Sequence, residues 1–285
     1  MKWLLWLPFF CYAVANPEFR PSQAPFISGD SFRSYADFAY DDIDSSLNPV
    51  DVTWGSTIFV KADDPYLEDF FAKIHPFILS KYILITHNTD APAPGRFSAY
   101  LDDDKIIAWF GQNYDGYLHP KMHPIPIGIA NYNWHAGNTA VIREVQQFQF
   151  PKIHLAHMSF RAWTHQERGS VVNHFSEAPY CYCTDYKPFD EYLLECSCSK
   201  FAISPRGNGL DTHRIWESLF VGTIPVVKSS SLDGLYSDLP VLIVGEWEEV
   251  TEELLNEKYK EFSNRKFDMK KLTMDYWTDL IDRYK

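Results

Sequence analysis

Basic residues are scarce in this chain of 285 residues. It holds 26 lysines and arginines against 38 aspartates and glutamates, which gives a formal net charge of −12. Nucleic acid, a partner that requires a broad basic face, is therefore not expected. Any anion that the protein binds has to be held locally, by loops and a few well-placed cations.

The sequence also lacks the usual nucleotide and metal motifs. It contains no dinucleotide-binding G-x-G-x-x-G, no phosphate loop ending in G-K-[ST], and no H-E-x-x-H. The D-x-D from Asp102 to Asp104 is a pattern that can hold a divalent cation. It precedes a predicted strand at 106–110 and so falls at the amino edge of the sheet, where we expect a solvated turn. We therefore predict no metal site and no cofactor.

An apolar run at residues 3–15 is too short to span a membrane comfortably. Lys2 precedes it, and it ends in Ala13-Val14-Ala15, the pattern of a secretory signal peptide cleaved after residue 15. The alternative is an uncleaved anchor. We expect a mature chain without a transmembrane span, either in the lumen of the secretory pathway (ER or Golgi) or secreted.

Cysteine is also infrequent. Of the five cysteines, Cys11 belongs to the predicted signal peptide, and Cys181, Cys183, Cys196 and Cys198 form two C-x-C pairs. In an oxidising compartment they predict two disulfides, formed between the motifs because a bridge within C-x-C is strained. A zinc site is the alternative, although its usual spacing is C-x₂₋₄-C.

Apolar strands alternate with amphipathic helices from residue 56 onward. The predicted strands cover 57–60, 82–86, 106–110, 125–130, 153–158, 201–204, 224–227 and 241–244, and helices begin near Pro65, Asn138, Thr164, Pro188, Asp211 or Thr212, and Thr251. This alternation predicts an α/β fold with parallel sheets, arranged as two Rossmann-like halves that face a cleft. After an irregular lead-in at 16–54, the N-terminal half would span 55–150 and the C-terminal half 151–285.

The stretch 201–228 has the pattern of one complete βαβ unit. Its loop, Arg206-Gly207-Asn208-Gly209, lies between a buried strand and a helix that Asp211 or Thr212 would cap. Such a loop and helix start can hold a phosphate through free backbone N–H groups and the helix dipole. We therefore predict an anion site here.

Two residues of the predicted helix add a cation and an anion to that site. Arg214 is placed to bind a phosphate bidentately, and Glu217, one turn further, can accept hydrogen bonds from ribose hydroxyls. His213, beside the site, could donate a hydrogen bond to the ligand. The alternative is that Arg214 and Glu217 form an ordinary surface ion pair.

The same stretch resembles the donor-binding motif of exostosin-family glycosyltransferases. That motif pairs an R-x-x-E-A-L helix with a G-x-I-P-V strand, and the chain has R-I-W-E-S-L from Arg214 and G-T-I-P-V from Gly222. Ser218 replaces the usual alanine. The donor-binding half of fucosyltransferases is similar in layout. The stretches THNTD, AWFGQN and HPIPIGIAN resemble those of exostosin-like proteins found mainly in viruses and microbes.

The resemblance covers roughly residues 55–285 and is strongest at 201–228 and 241–255. It implies a glycosyltransferase of the two-domain GT-B architecture. By the same resemblance, Arg214 would contact the pyrophosphate of a nucleotide-diphosphate sugar, and Glu217 would contact its ribose.

The N-terminal half would then supply the acceptor side and a base. Polar residues follow three consecutive predicted strands: His87, Asn88 and Asp90; Gln112, Asn113 and Asp115; and Asn131. Strand ends of a parallel sheet open onto one edge. Sugar transfer with inversion needs a group that takes the acceptor proton, and Asp90 and His87 are the candidate bases. The alternative is that His87 and Asn88 only fix their loop.

The predicted function is therefore metal-independent transfer of a sugar from a nucleotide-diphosphate sugar to a hydroxyl of a glycan or glycoprotein. The alternatives are a non-catalytic module that binds a glycan or nucleotide sugar, and a phosphate-ester hydrolase that uses the same anion loop. The hydrolase ranks lowest because the sequence shows no metal cluster or nucleophile motif.

Overall fold

The computed structural model describes residues 19–148 and 150–285. The predicted signal peptide at 1–15 lies outside the described residues. The N-terminal sheet has five parallel strands in sequential order. They are β1 Phe38–Tyr40, β2 Ser56–Lys61, β3 Tyr82–His87, β4 Ile106–Gly111 and β5 Met122–Pro124.

The C-terminal sheet is also parallel and five-stranded, in the order β10-β9-β8-β6-β7. Its strands are β6 His154–Met158, β7 Cys181–Cys183, β8 Ser199–Ile203, β9 Ile224–Lys228 and β10 Leu242–Val244. The order reverses at β6, which has β7 on one side and β8 on the other. Two parallel sheets confirm the predicted α/β class with Rossmann-like halves. In such sheets the carboxyl ends at the reversal form a ligand crevice.

Eight α-helices are described. They are α1 Gly29–Tyr35, α2 Tyr66–Asp69, α3 Thr139–Gln147, α4 Gln166–Ser176, α5 Phe189–Ser197, α6 His213–Phe220, α7 Glu252–Asn264 and α8 Met274–Asp282. A π turn covers Phe70–Ile74, and short 3-10 turns cover Pro49–Asp51, His75–Phe77, Gly95–Asp102, His135–Gly137, Ala162–Thr164, Trp247–Glu249 and Met269–Leu272. Within residues 19–148 and 150–285, none of the helices combines the length and apolarity needed to cross a membrane.

Of the residues near which helices were predicted to begin, Asn138 and Thr251 cap their helices and Thr164 does not. Asn138 accepts from Ala140 N at the start of α3, and Thr251 accepts from Leu254 N at the start of α7. Thr164 does not cap α4, because the ring of His165 accepts the Glu167 N–H instead. Thr212 precedes α6, although its side chain makes no capping hydrogen bond.

The predicted strand at 125–130 is wrong: the fifth strand of the first sheet is Met122–Pro124, and the chain then leaves the sheet. Pro126 cannot donate a ladder hydrogen bond, and Gly128 has a φ of 67°, outside the strand region. The Ile127 N–H donates to Asp211, and the Ile129 N–H donates to Ile27 O. The segment therefore lies at the contact between the two halves rather than in a sheet.

The lead-in at 16–54 is not irregular throughout. Residues 29–40 contain α1 and β1, and β1 forms the edge of the first sheet by pairing with β2. The Ser28 side chain caps α1 by accepting from Ser31 N. This capping serine was not recognised in the sequence because the stretch is rich in serine, proline and aspartate.

The halves share a continuous apolar core. Ile83 and Phe110 of the first sheet pack in one cluster with Ile215 and Trp216 of α6 and with Trp277 of α8. Helix α8 crosses back to contact α1, and the Tyr35 hydroxyl donates to Asp282. Helix α3, which precedes the predicted boundary near 150, packs against α5 and α6 of the second half.

All four described cysteines are free thiols, so the predicted disulfides between the two C-x-C motifs are not formed. Cys181 lies on β7 and Cys196 on α5, where its thiol lies 3.5 Å from the Ser218 hydroxyl of α6. Cys196 therefore packs toward α6 rather than toward β7.

Candidate functional site: the cleft between the two sheets

A cleft of about 840 Å³ lies between the carboxyl edges of the two sheets. On the N-terminal side it is lined by residues that end or follow β2, β3 and β4, including Lys61, Asp63, His87, Asp90 and Gln112, and by Asn131. On the C-terminal side its lining includes Ser159, Phe160, Arg161, Arg168, Asn208, His213, Arg214 and Glu217. The predicted convergence of the N-terminal strand ends on one edge is thus confirmed for β3 and β4.

Three arginines form the basic wall of the cleft. Arg161 follows β6, Arg168 lies in the first turn of α4, and Arg214 lies in the first turn of α6. Within residues 19–148 and 150–285, no carboxylate forms an ion pair with any of them. The three guanidinium groups are therefore not held in ion pairs with acidic side chains of these residues.

Arg214 is held by aromatic rings rather than by a carboxylate. Its guanidinium lies 4.9 Å from the ring centroid of Tyr192 and 5.5 Å from that of Phe160. Its Nε atom is buried and has no hydrogen-bond partner among the described residues. Cation–π contacts fix the plane of the group and leave its N–H donors available to a ligand.

Arg168 fixes the loop that follows β8. Its Nε donates to Arg206 O at 2.7 Å, and its Nη atoms donate to Arg161 O at 3.1 Å and to Pro205 O at 3.2 Å. Burial, together with nearby Arg214, lowers the pKa of Arg168 to about 10. A guanidinium has five N–H donors, and three of these are used, so two remain for a ligand.

Glu217 is buried beside Arg214 on α6 and only 5 % of it is exposed. Burial raises the pKa of Glu217 to about 7, while Arg214 and the Tyr192 hydroxyl act in the opposite direction. The carboxyl therefore changes protonation near neutral pH and can both accept and donate hydrogen bonds. The alternative of an ordinary surface ion pair with Arg214 is wrong, because Glu217 is not on the surface.

Replacing Glu217 with glutamine should stabilise the ligand-free protein at high pH. The folded-state pKa lies above the unfolded value of about 4.5, so the wild type loses stability as pH rises through that interval. Glutamine does not ionise, so we expect the advantage of Glu217→Gln over wild type to grow by about 2 to 3 kcal/mol between pH 5 and pH 8. Urea unfolding at both pH values measures this difference. Exposed Glu191, changed to glutamine, is the control, and an equal response of the two variants would contradict the prediction.

Asp211 does not face the cleft, so the prediction that it contacts a ligand is wrong. It is 2 % exposed and accepts from Ile127 N at 2.7 Å, Thr212 N at 2.9 Å, Trp216 Nε1 at 3.0 Å and Tyr236 Oη at 3.3 Å. Burial raises the pKa of Asp211 to about 6. Its role is to join the start of α6 to the N-terminal half.

Of the predicted loop residues, only Asn208 lines the cleft. Arg206 lines a separate cavity of about 270 Å³, and its Nη2 donates to Asn208 O at 3.3 Å. Gly207 lies against Arg168, where an added Cβ would be 3.3 Å from Nη2. At Gly209 an added Cβ would lie 2.8 Å from Asn113 Nδ2, so this glycine permits close contact between the halves rather than contact with a ligand.

His87 lines the cleft, but its ring nitrogens are both engaged. Nδ1 accepts from Asn88 N at 2.7 Å, and Nε2 donates to Pro126 O at 3.0 Å. Burial lowers the pKa of His87 to about 4. Asn88, with a φ of 59°, accepts from Asn131 Nδ2 at 2.8 Å. This geometry supports the alternative in which His87 and Asn88 fix the loop, and it removes His87 as a candidate base.

Asp90 and His213 both line the cleft. Asp90 is exposed, and its carboxylate forms no hydrogen bond or ion pair with the described residues. The Nδ1 atom of His213 lies 2.8 Å from Gly128 O, to which it donates. Burial lowers the pKa of His213, and the negative charge of Asp90 opposes that shift.

Comparisons with known proteins give no family for this chain. No protein-family model matches it, and no curated protein matches it significantly.

Sequence reasoning missed Arg161 and Arg168. Arg161 comes just after β6. The rule that the carboxyl ends of parallel strands share one edge of the sheet was applied to β3 and β4, and it would have identified Arg161 if applied to β6. It also missed Arg20, which binds buried Asp30 at 2.7 Å and lines the cleft from the lead-in.

Within the two described ranges, no group of three or more His, Cys, Asp or Glu side chains has metal-binding geometry. Asp103 of the D-x-D contacts His75 at 3.1 Å, away from the cleft.

Proposed function

We propose that the protein is a glycosyltransferase that uses a nucleotide-diphosphate sugar as donor and a glycan or glycoprotein hydroxyl as acceptor. Its two halves would act as the donor and acceptor domains of the GT-B architecture. One observation carries the proposal. Arg161, Arg168 and Arg214, which form no ion pair within the described ranges, converge on the cleft where the strand order of the second sheet reverses.

The basic wall suits a diphosphate. Guanidinium groups bind phosphate oxygens through paired N–H donors, and Arg214 and Arg168 both retain free donors beside the start of α6. The same contacts would stabilise the negative charge that develops on a departing nucleoside diphosphate. These side chains supply that charge stabilisation without a metal ion, which is why we propose a metal-independent reaction.

Glu217 suits the nucleoside part of the donor. It lies one helical turn beyond Arg214 and lines the same cleft. A carboxyl group whose pKa is about 7 can accept hydrogen bonds from ribose hydroxyls, and binding of those donors favours its ionised form. We assign the phosphate to Arg214 and the ribose to Glu217.

The N-terminal wall suits a sugar acceptor. Asp90 presents a free carboxylate, and Trp134 lines the cleft with 67 % of its surface exposed. An exposed indole at a cleft offers a flat apolar face on which a sugar ring can stack. A volume of about 840 Å³ lies in the range of ligand sites for drug-sized molecules, which accommodates a donor next to an acceptor unit.

The signal peptide predicted at residues 1–15 would direct the chain into the secretory pathway. We propose that the protein acts in the lumen of the secretory pathway or outside the cell, where glycan and glycoprotein acceptors are available.

A ligand screen followed by a transfer assay tests the proposed function. UDP-, GDP- and CMP-sugars are added singly, and the melting temperature is recorded, because a ligand that binds the native state raises it by mass action. We expect one diphosphate-sugar class to raise it, with release of the nucleoside diphosphate when glycan acceptors are added, in chelator as well as in buffer.

Other outcomes separate the alternatives. Donor or glycan binding without turnover against any acceptor would favour a binding module. Release of phosphate from simple esters would favour a hydrolase. No response to any nucleotide sugar would contradict the proposed donor site.

A further inference from the structure

The side chain of His213 is fixed in one orientation and one tautomer. It is the first residue of α6, and its Nδ1 atom lies 2.8 Å from the carbonyl oxygen of Gly128. A carbonyl can only accept, so Nδ1 carries the proton. In the neutral ring Nε2 then has a lone pair and no hydrogen, which makes it an acceptor. This is the reverse of the hydrogen-bond donor that the sequence suggested.

The adjacent residues His213 and Arg214 of α6 therefore contact different halves of the protein. Arg214 stacks on Phe160 and Tyr192 of the C-terminal half. His213 bonds to Gly128 in the segment that joins the N-terminal half and also lines the cleft. The histidine is therefore placed between the proposed phosphate site and the proposed acceptor wall.

The charged and titratable groups around His213 are Asp90 and His87 of the N-terminal half and Arg214, its neighbour on α6. His87 stays neutral because burial lowers its pKa to about 4. Asp90 is the group whose charge favours protonation of the His213 ring. Burial alone would keep that ring neutral, and Asp90 makes a transient positive charge less costly.

We propose that His213 is the catalytic base: its Nε2 atom takes the proton of the acceptor hydroxyl, and Asp90 stabilises the imidazolium that forms. This proposal rests on the proposed transferase function. As the O–H bond breaks, the acceptor oxygen forms a bond to the anomeric carbon, and the bond from that carbon to the diphosphate oxygen breaks. The electron pair leaves with the diphosphate beside Arg214 and Arg168, and the proton passes from Nε2 to solvent.

The variant His213→Asn separates catalysis from folding. The side-chain amide of asparagine can place its nitrogen near the position of Nδ1 and keep the hydrogen bond to Gly128, but it offers no base at the position of Nε2. We expect a fall in kcat of about 100-fold or more, with the donor-induced rise in melting temperature unchanged. His174→Asn, an exposed histidine on α4, is the control and should leave kcat unaltered.

The variant Asp90→Asn tests the proposed effect of Asp90 on His213 through the pH dependence of activity. Activity should fall on the acid side as the His213 ring gains its proton. Because Asp90 raises the pKa of His213, removing its charge should move that acid limb to lower pH while activity is retained in part. A near-normal kcat in His213→Asn would overturn the proposal. Complete loss of activity in Asp90→Asn at every pH would also overturn it and would indicate that Asp90 is the base. If wild type binds no nucleotide sugar, the transferase function itself fails, which the melting-temperature screen reports separately.

Discussion

Replacing Arg214 with alanine should lower kcat/KM for the nucleotide sugar by about 30- to 1,000-fold and remove the donor-induced rise in melting temperature. The guanidinium is stacked on two rings, and its buried Nε has no partner in the described part of the chain. Its N–H donors are therefore held in position and available to a ligand. Loss of charge-assisted hydrogen bonds to phosphate costs about 2 to 4 kcal/mol, which corresponds to roughly 30- to 1,000-fold.

Arg206→Ala is the matched control. Arg206 lies in the loop before α6, close in sequence to Arg214, but it lines the smaller cavity. Its side chain donates hydrogen bonds to carbonyls of its own loop. We expect it to keep donor binding near the wild-type value. Arg214→Lys should give an intermediate loss, since lysine keeps the charge but not the planar fork. Equal losses in Arg214→Ala and Arg206→Ala would contradict the assignment, as would unaltered binding in Arg214→Ala.

The βαβ stretch at 201–228 was the most predictable part of the chain. Its strands, helix and loop follow from short-range signals: a buried apolar run ending at Pro205, a glycine-bearing loop, and a helix whose apolar residues share one face. Arg214 and Glu217 were found because a helix places residues three apart on one side. Both residues line the cleft as predicted, because they are neighbours on one helix.

The loop residues between the strand and the helix were less predictable. Glycine and aspartate at the start of a helix are typical both of a phosphate site and of a tight contact between domains. In the structure, Gly209 lies against Asn113, and Asp211 accepts from Ile127 N, so both serve the contact. Only the position of the N-terminal half decides between the two roles, and short-range pattern contains no information on that position.

The candidate bases were the hardest residues to assign for a similar reason. His87 and His213 are both histidines next to strand or helix ends, but one has both ring nitrogens bonded and the other has one. The difference arises from two carbonyls, Pro126 O and Gly128 O, in a segment expected to be a strand. Once that segment leaves the sheet, its carbonyls point to the histidines instead of to a neighbouring strand.

Asp211 is the residue on which this arrangement depends most. It joins Ile127 of that segment to Thr212, Trp216 and Tyr236 of the C-terminal half, and its position sets the start of α6 against the N-terminal half. Because His213 and Arg214 follow after Thr212 alone, the position of both side chains relative to the N-terminal half depends on the same carboxylate.

Replacing Asp211 with alanine should therefore destabilise the protein by about 3 kcal/mol or more at pH 5, since up to four buried donors lose their acceptor. The wild-type carboxyl has a pKa of about 6 when folded, above its unfolded value of about 3.8, so its contribution declines as pH rises between these values. The loss in Asp211→Ala should accordingly be smaller at pH 8 than at pH 5. Urea unfolding at both pH values measures it, with exposed Asp90→Ala as the control. A loss below about 1 kcal/mol at pH 5, or one that grows toward pH 8, would show that this carboxylate does not join the halves as the geometry indicates.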